Sequence, residues 1–116
     1  MRIVGGKYRH RLITWPDDAA HIRPTKDRVR EAIFSALNDI SDFVVLDLYA
    51  GSGAMGIEAL SRGAKCAYFV DKNNIAISTV RQNLRDLKVD EEYKIIKDEE
   101  IFTDLHNIYY VRMFQN

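Results

Sequence analysis

The sequence predicts an α/β domain built on a parallel β-sheet and preceded by a basic β-hairpin. Two observations carry that expectation. From residue 27 onward, stretches with helical periodicity alternate with short apolar runs in the order helix, strand, helix, strand, helix, strand, the pattern of parallel strands joined by right-handed crossovers. The first of those apolar runs passes through a glycine-rich turn straight into the second helix. The 116 residues, 47% apolar and 29% charged, suit one small globular domain or part of one. We divide them into a basic hairpin and loop over 1–26 and the sheet domain over 27–116.

Each element has its own signal. Arg2-Ile3-Val4 and Arg11-Leu12-Ile13-Thr14 read as two extended pieces around Gly5-Gly6, with basic residues on both sides of the bend. Trp15-Pro16-Asp17-Asp18 and Arg23-Pro24-Thr25 are turn and breaker chemistry, so the stretch that holds them reads as a surface loop. From Asp27, the residues Val29, Ala32, Ile33, Ala36, Leu37 and Ile40 recur at three- and four-residue steps and lay an apolar stripe along a helix, with Thr25 placed to cap it. Phe43 to Leu48 is apolar and β-branched, as expected of a strand buried on both faces. Ala54 to Arg62 suits a helix that Gly63 closes in the left-handed conformation, and Cys66 to Val70 a second strand. Asn73 or Asn74 can cap a third helix, with Ile77, Val80, Leu84 and Leu87 inward and Arg81, Arg85 and Lys88 in solvent. Tyr93 to Ile96 reads as a third strand, Ile101 to Leu105 as a helical turn, and Ile108 to Phe114 as a further strand.

The 17 basic and 17 acidic residues cancel only on paper. Residues 1–30 hold eight Lys or Arg (2, 7, 9, 11, 23, 26, 28 and 30) against Asp17, Asp18 and Asp27, and the remaining residues are correspondingly acidic. A local basic block of this kind suits a polyanionic partner whatever the overall charge. No apolar run approaches the ~18 to 20 residues of a bilayer crossing, and the amino terminus lacks a secretory apolar core. Cys66 is the single cysteine, which excludes an internal disulfide and a zinc site of its own; a reducing cytoplasm is the expected setting.

The chemistry is concentrated in Leu46-Asp47-Leu48-Tyr49-Ala50-Gly51-Ser52-Gly53-Ala54-Met55-Gly56. Lacking a Cβ, Gly51 and Gly53 can take positive φ and let the backbone approach a ligand, while Gly56 permits close helix-to-strand packing. Glycines in G-x-G-x-x-G can also merely make a tight turn. Here the motif follows a strand, opens a helix, and is followed twenty residues after Gly51 by Asp71, where a carboxylate can accept both hydroxyls of an adenosine ribose. Asp47 separates two cofactor classes. A dinucleotide places its pyrophosphate on the helix amino end, where an acidic neighbour repels it. S-adenosylmethionine carries no phosphate but a positive sulfonium and α-amino group, so D-x-x-x-G-x-G points to that donor. Tyr49 and Ser52 belong to the same turn. Asp98, at the end of the third strand, is either a partner for the adenine amino group or a solvated acid in the run Asp98-Glu99-Glu100.

Three blocks then stand in order: Arg2-Ile3-Val4-Gly5-Gly6-Lys7-Tyr8, Arg23-Pro24-Thr25-x-Asp27-Arg28-Val29-Arg30-Glu31-Ala32-Ile33-Phe34, and Asp47-x-x-x-Gly51-Ser52-Gly53-x-x-Gly56-x-Glu58-Ala59-Leu60-Ser61-Arg62-Gly63-Ala64. Together they resemble the RsmD family, bacterial methyltransferases that modify the exocyclic N2 of a guanine in 16S ribosomal RNA. The resemblance implies a Rossmann-like methyltransferase fold, S-adenosylmethionine as donor, and 16S ribosomal RNA or the small ribosomal subunit as partner. It places Gly51, Gly53 and Gly56 along the methionine and ribose, Asp47 near the amino-acid end, Asp71 on the ribose and Asp98 on the adenine. Arg23 and Thr25 fall beside the methionine end or at the substrate entrance, with helix capping and surface charge as the alternative. Arg2, Lys7, Arg9 and Arg11 are expected on RNA phosphates, each also readable as a solvated surface charge. His10 stands where the family usually has glycine.

One departure is larger. The family carries an Asp-Pro-Pro-Tyr-type loop after a fourth strand, and the prolines here are Pro16 and Pro24 alone. A guanine amine is a poor nucleophile that must be oriented and hydrogen-bonded as the N–C bond forms, and that loop does this work. No catalytic residue is therefore assigned. The expectation is a donor-binding fragment, with one half of a split methyltransferase, completed by a second chain, or a non-catalytic RNA-binding module as alternatives. If the strand order follows the family, the first strand is left with an open edge, unless Tyr109 to Phe114 covers it.

Overall fold

The computed structural model describes residues 1–15, 27–48, 50–97 and 112–114. Its elements are α1 (Asp27–Leu37), β1 (Val44–Leu48), α2 (Ala54–Ser61), β2 (Cys66–Asp71), α3 (Asn74–Asp86), β3 (Glu92–Lys97) and β4 (Arg112–Phe114). The strands form one parallel sheet in the order β3-β2-β1-β4. Val45 lies opposite Ala67 and Asp47 opposite Phe69, which brings the carboxyl ends of β1 and β2 level. The open edge expected on β1 is not there: Leu46, Asp47 and Leu48 pair with Arg112, Met113 and Phe114. The carboxyl-terminal segment thus supplies the ladder partners that an edge strand would otherwise leave unmet.

Local chemistry sets the ends. Asn38 takes φ 63 and closes α1 in the left-handed region that a short polar side chain tolerates. Gly63, at φ 102, ends α2: its N–H reaches the Leu60 carbonyl at 3.1 Å and Ala64 N–H the Ala59 carbonyl at 3.0 Å, the paired bonds of a Schellman closure. Of the two candidate caps for α3 it is Asn73, whose Oδ1 accepts from Ile75 N–H at 2.8 Å and Ala76 N–H at 3.0 Å.

Side chains alternate across the sheet. Val45, Ala67, Phe69 and Ile95 face a core shared with Phe34 of α1, Met55, Ile57 and Leu60 of α2, and Val80 and Leu84 of α3. Leu46, Val70 and Ile96, with Leu48 and Tyr68 against them, occupy the other face. The expected α1 stripe holds in part: Ile40 is in the core and Ile33 and Leu37 pack against it. Arg30 and Phe34 are the buried residues of the helix, while Val29, Ala32 and Ala36 are exposed. The helix is turned so that Arg30 meets a buried carboxylate on α2, a demand that apolar periodicity does not register.

At the amino end the two extended pieces meet in one antiparallel bridge, Arg2 with Leu12. Ile3 N–H to the Arg11 carbonyl and Ile13 N–H to the Met1 carbonyl flank it, at 2.9 and 3.0 Å. His10 N–H adds a bond to the Ile3 carbonyl at 2.8 Å, and much of the remaining backbone of the bend is spent on α2. Val4 and Gly5 N–H bond to Glu58, Lys7 N–H to the Ser61 carbonyl, and Tyr8 N–H to Ser61 Oγ. Ile3, Tyr8 and Ile13 join the main core, so residues 1–15 form an arm laid down on the domain.

Candidate functional site

The turn expected to carry the chemistry sits where β1 gives way to α2. Ala50 N–H still bonds to β2, at the Val70 carbonyl (3.1 Å), after which Gly51 and Gly53 take φ 60 and 84. Gly53 N–H closes the turn on the Ala50 carbonyl at 2.8 Å, and the Gly53 carbonyl accepts the first helical bond, from Ile57. Ser52 is fully buried, and its Oγ accepts from Ala54 N–H at 3.2 Å.

Two carboxylates brace this turn from the strands beneath it. Asp47, fully buried on β1, accepts Gly56 N–H on Oδ2 at 3.0 Å. That amide belongs to the first turn of α2 and has no partner inside the helix, so a carboxylate there satisfies both an orphan donor and the positive end of the helix dipole. Asp71, half-exposed at the end of β2, accepts Gly51 N–H on Oδ2 at 3.2 Å and Asn73 N–H on Oδ1 at 2.9 Å. The first glycine and the acid twenty residues later are therefore one site. Each Asp71 oxygen, accepting a single N–H, keeps capacity for a further donor, as a ribose hydroxyl requires. Gly56 serves packing: a Cβ at that position would lie 2.3 Å from Cε1 of Phe69 on β2. Tyr49, Asp98, Arg23 and Thr25 lie outside the described residues.

The basic residues of the arm are not equivalent. Arg2 and Arg9 are exposed. Arg11 is exposed too, and its Nη2 donates to the Asp86 carbonyl at 3.2 Å. Lys7 is engaged: Nζ lies 2.7 Å from Asp90 and 3.0 Å from Glu91, and Tyr8 Oη donates to Glu91 at 2.6 Å. Hydrogen bonding to these carboxylates holds the Lys7 ammonium above its ordinary range, and the same bond from Lys7 holds Asp90 below the usual carboxylate range. His10 takes φ 73, so the tip keeps a glycine-like backbone without the glycine. Cys66 is buried, its thiol pushed up to about 11 chiefly by burial and then by Glu92, which makes it a poor nucleophile.

Sequence reasoning missed the charged residues that seat the arm. Glu58, fully buried in α2, accepts Val4 N–H on Oε1 and Gly5 N–H on Oε2, both at 2.9 Å, and Arg62 Nε on Oε2 at 2.8 Å. Arg30, also fully buried, brings Nε to 3.5 Å from Glu58 and donates through Nη2 to Asp27 and to the Arg2 carbonyl. Counted with the basic block, Arg30 is in fact an interior residue. The available signal was Glu58 itself, a lone charge within the apolar helix Ala54-Met55-Gly56-Ile57-Glu58-Ala59-Leu60. Asn83, 1% exposed on α3, was missed as well: it bonds to Thr14 and to Ser52.

The model of the family described as Conserved hypothetical protein 95 matches residues 1–108. The chain belongs to this family, the RsmD-like ribosomal RNA methyltransferases. It is similar to ribosomal RNA small subunit methyltransferase D of Escherichia coli (strain K12), 44% identical over 89 residues, which is 76% of this chain and 44% of that protein. A solved structure of a hypothetical protein from Thermus thermophilus superimposes with TM-score 0.74 at 32% identity, covering 89% of this chain and 59% of the other. Precorrin-6Y C5,15-methyltransferase of Geobacter metallireducens GS-15 superimposes with TM-score 0.61 at 24% identity, over 83% and 53% of the two chains, which shows a shared fold alone. The chain spans about half the length of the curated relatives it matches. Among the described residues, no helix is long and apolar enough to cross a membrane.

Proposed function

We propose that this chain binds S-adenosylmethionine at the turn between β1 and α2, and that it is the donor-binding part of an RsmD-type methyltransferase acting on guanine N2 of 16S ribosomal RNA. The observation that carries the reading is the bond from Gly51 N–H to Asp71 Oδ2, because it joins the glycine turn and the ribose-type carboxylate in one place. S-adenosylmethionine supplies an electrophilic methyl group on a sulfonium. The chain's own residues hold it: Gly51 and Gly53 give the turn its left-handed backbone, Asp71 takes the ribose hydroxyls, and Asp47 adds negative potential beneath the cationic end. Tyr49 and Asp98, with Arg23 and Thr25, complete the donor contacts in this reading. Arg2, Arg9 and Arg11 position RNA through its phosphates without reading sequence, and Lys7 does so only by leaving Asp90 and Glu91.

Orientation of the guanine amine is not assigned to any residue here, since the chain carries no Asp-Pro-Pro-Tyr run. The 116 residues are accordingly expected to bind the donor and its demethylated product by calorimetry, to lose that binding on Asp71→Ala, and to place no radiolabelled methyl on 30S particles by themselves. A folded chain that binds neither nucleoside would overturn the reading. The exposed Arg2, Arg9 and Arg11 favour one alternative, an RNA-binding module without a donor. Its signature is RNA affinity that falls steeply with salt and ignores Asp71→Ala.

A further inference from the structure

Asn83 lies within α3 but spends its side-chain amide on two other parts of the molecule. Its Oδ1 accepts Thr14 N–H at 2.9 Å, and its Nδ2 donates to the Thr14 carbonyl and to the Ser52 carbonyl, both at 2.8 Å. One buried side chain thus holds both backbone groups of an arm residue and the carbonyl that sits between the two left-handed glycines of the turn. Ser52 is met by the arm a second time, through Met1 Sδ at 3.6 Å from its Oγ. An amide offers two donors and one acceptor oxygen in a fixed plane. All three bonds are made together only when the arm, α3 and the turn are mutually in place, and breaking one strands a buried polar group.

We propose that Asn83 is a positioning residue that makes the seating of the arm and the conformation of the Gly51–Gly53 turn one equilibrium, so that a disturbance at Thr14 is felt as a change in donor affinity. The proposal rests on the donor-binding reading above and extends it. The coupling is reciprocal by linkage. Because the arm carries Arg2, Arg9 and Arg11, a polyanion seated there reaches the turn by the same route.

Three variants of the whole chain test this. Asn83→Leu keeps the side-chain bulk and removes all three bonds. Asn83→Asp keeps the shape and the acceptor but loses both donated bonds. Thr14→Pro removes the Thr14 N–H and alters no residue of the turn. The readouts are amide exchange at Gly53 relative to Ala59 and Leu60 of α2, and S-adenosylmethionine affinity by calorimetry. Thr14→Pro and Asn83→Leu are each expected to speed Gly53 exchange and weaken donor binding by roughly tenfold, with the double variant no worse than Asn83→Leu alone. Unchanged Gly53 exchange in both, or fully additive effects in the double variant, would overturn the coupling and leave Asn83 a packing residue. If Asn83→Leu does not fold, Asn83→Asp takes its place in the same comparison. Should the unaltered chain bind no donor, the functional reading falls, while Gly53 exchange still decides whether Asn83 joins the arm to the turn.

Discussion

The glycine turn and the seat of the arm lie at opposite ends of the same short helix and are built in opposite ways. At the amino end of α2, Gly51 and Gly53 make a buried left-handed turn, and Asp47 and Asp71 each accept one of the backbone N–H groups there. At its carboxyl end the chain is crowded with charge, where Glu58 accepts two arm amides and faces Arg62 and Arg30. The proposed donor site asks for a carboxylate with acceptor capacity to spare, and Asp71, partly exposed, has it. In the seat of the arm, Glu58 is fully buried and its acceptors meet the chain's own donors, Val4 and Gly5 N–H and Arg62 Nε. Losing a residue of the first should cost binding, and losing one of the second should cost folding.

The largest effect is expected at Glu58. Truncation to Ala leaves buried Arg30 with Asp27 as its remaining carboxylate and two arm amides without an acceptor, so urea unfolding should register a loss of about 2–4 kcal/mol. Glu58→Gln, which retains acceptor and shape, should recover part of it. A loss below about 1 kcal/mol for the Ala variant would mean that the arm is seated by its apolar residues Ile3, Tyr8 and Ile13 instead.

Gly56→Ala probes the boundary between the two regions. Its Cβ meets the Phe69 ring, and the displacement of α2 should cost about 1–3 kcal/mol in the same unfolding experiment. Donor affinity should fall too, because Gly56 N–H is the group that Asp47 holds. Stability loss with unaltered affinity would show that the helix yields without moving the turn.

The smallest effect belongs to the clamp of Lys7 with Asp90 and Glu91, which is solvent-exposed and screened. Asp90 titrates below its unfolded value, so its contribution is present above the ordinary aspartate range and disappears as pH falls through the lowered folded value. In Lys7→Met, the Asp90 carboxyl should titrate closer to its ordinary value by NMR, and the small stability difference from the unaltered chain at neutral pH should vanish in acid. An Asp90 titration unmoved by the substitution would remove the clamp from the account.

Much of this was readable beforehand. Strand runs such as Phe43 to Leu48, the closure of α2 at Gly63 and the caps near Asn73 depend on near neighbours, and near neighbours are what a sequence displays. That Asp71 falls near the glycine turn was readable for a related reason, since adjacent parallel strands level their carboxyl ends; its bond to Gly51 N–H is a finding of the structure. The α1 face was read half correctly: Ile33, Leu37 and Ile40 pack on the core, whereas Val29, Ala32 and Ala36 fit a stripe by type but are exposed, and a carboxylate on another helix selects Arg30. The expected hairpin is reduced to one bridge, Arg2 with Leu12, and the bonds that join Ile3 to Arg11 and His10 and Ile13 to Met1, because α2 takes the N–H groups of Val4, Gly5, Lys7 and Tyr8.

By itself, then, the sequence determined the alternation of helices and strands, the glycine turn with its two carboxylates, and through three ordered motifs the family. Only the tertiary structure decided that Arg30 and Glu58 are interior, that Lys7 is held by Asp90 and Glu91, that β4 covers β1, and that Asn83 ties the arm to the turn. Periodicity and turn chemistry are local and repeat along the chain. A buried charge or amide is tolerable only beside partners. Although Asp27 and Arg62 are near neighbours of Arg30 and Glu58, the arm amides and the Arg30–Glu58 contact are brought from dozens of residues away, which the order of residues does not mark.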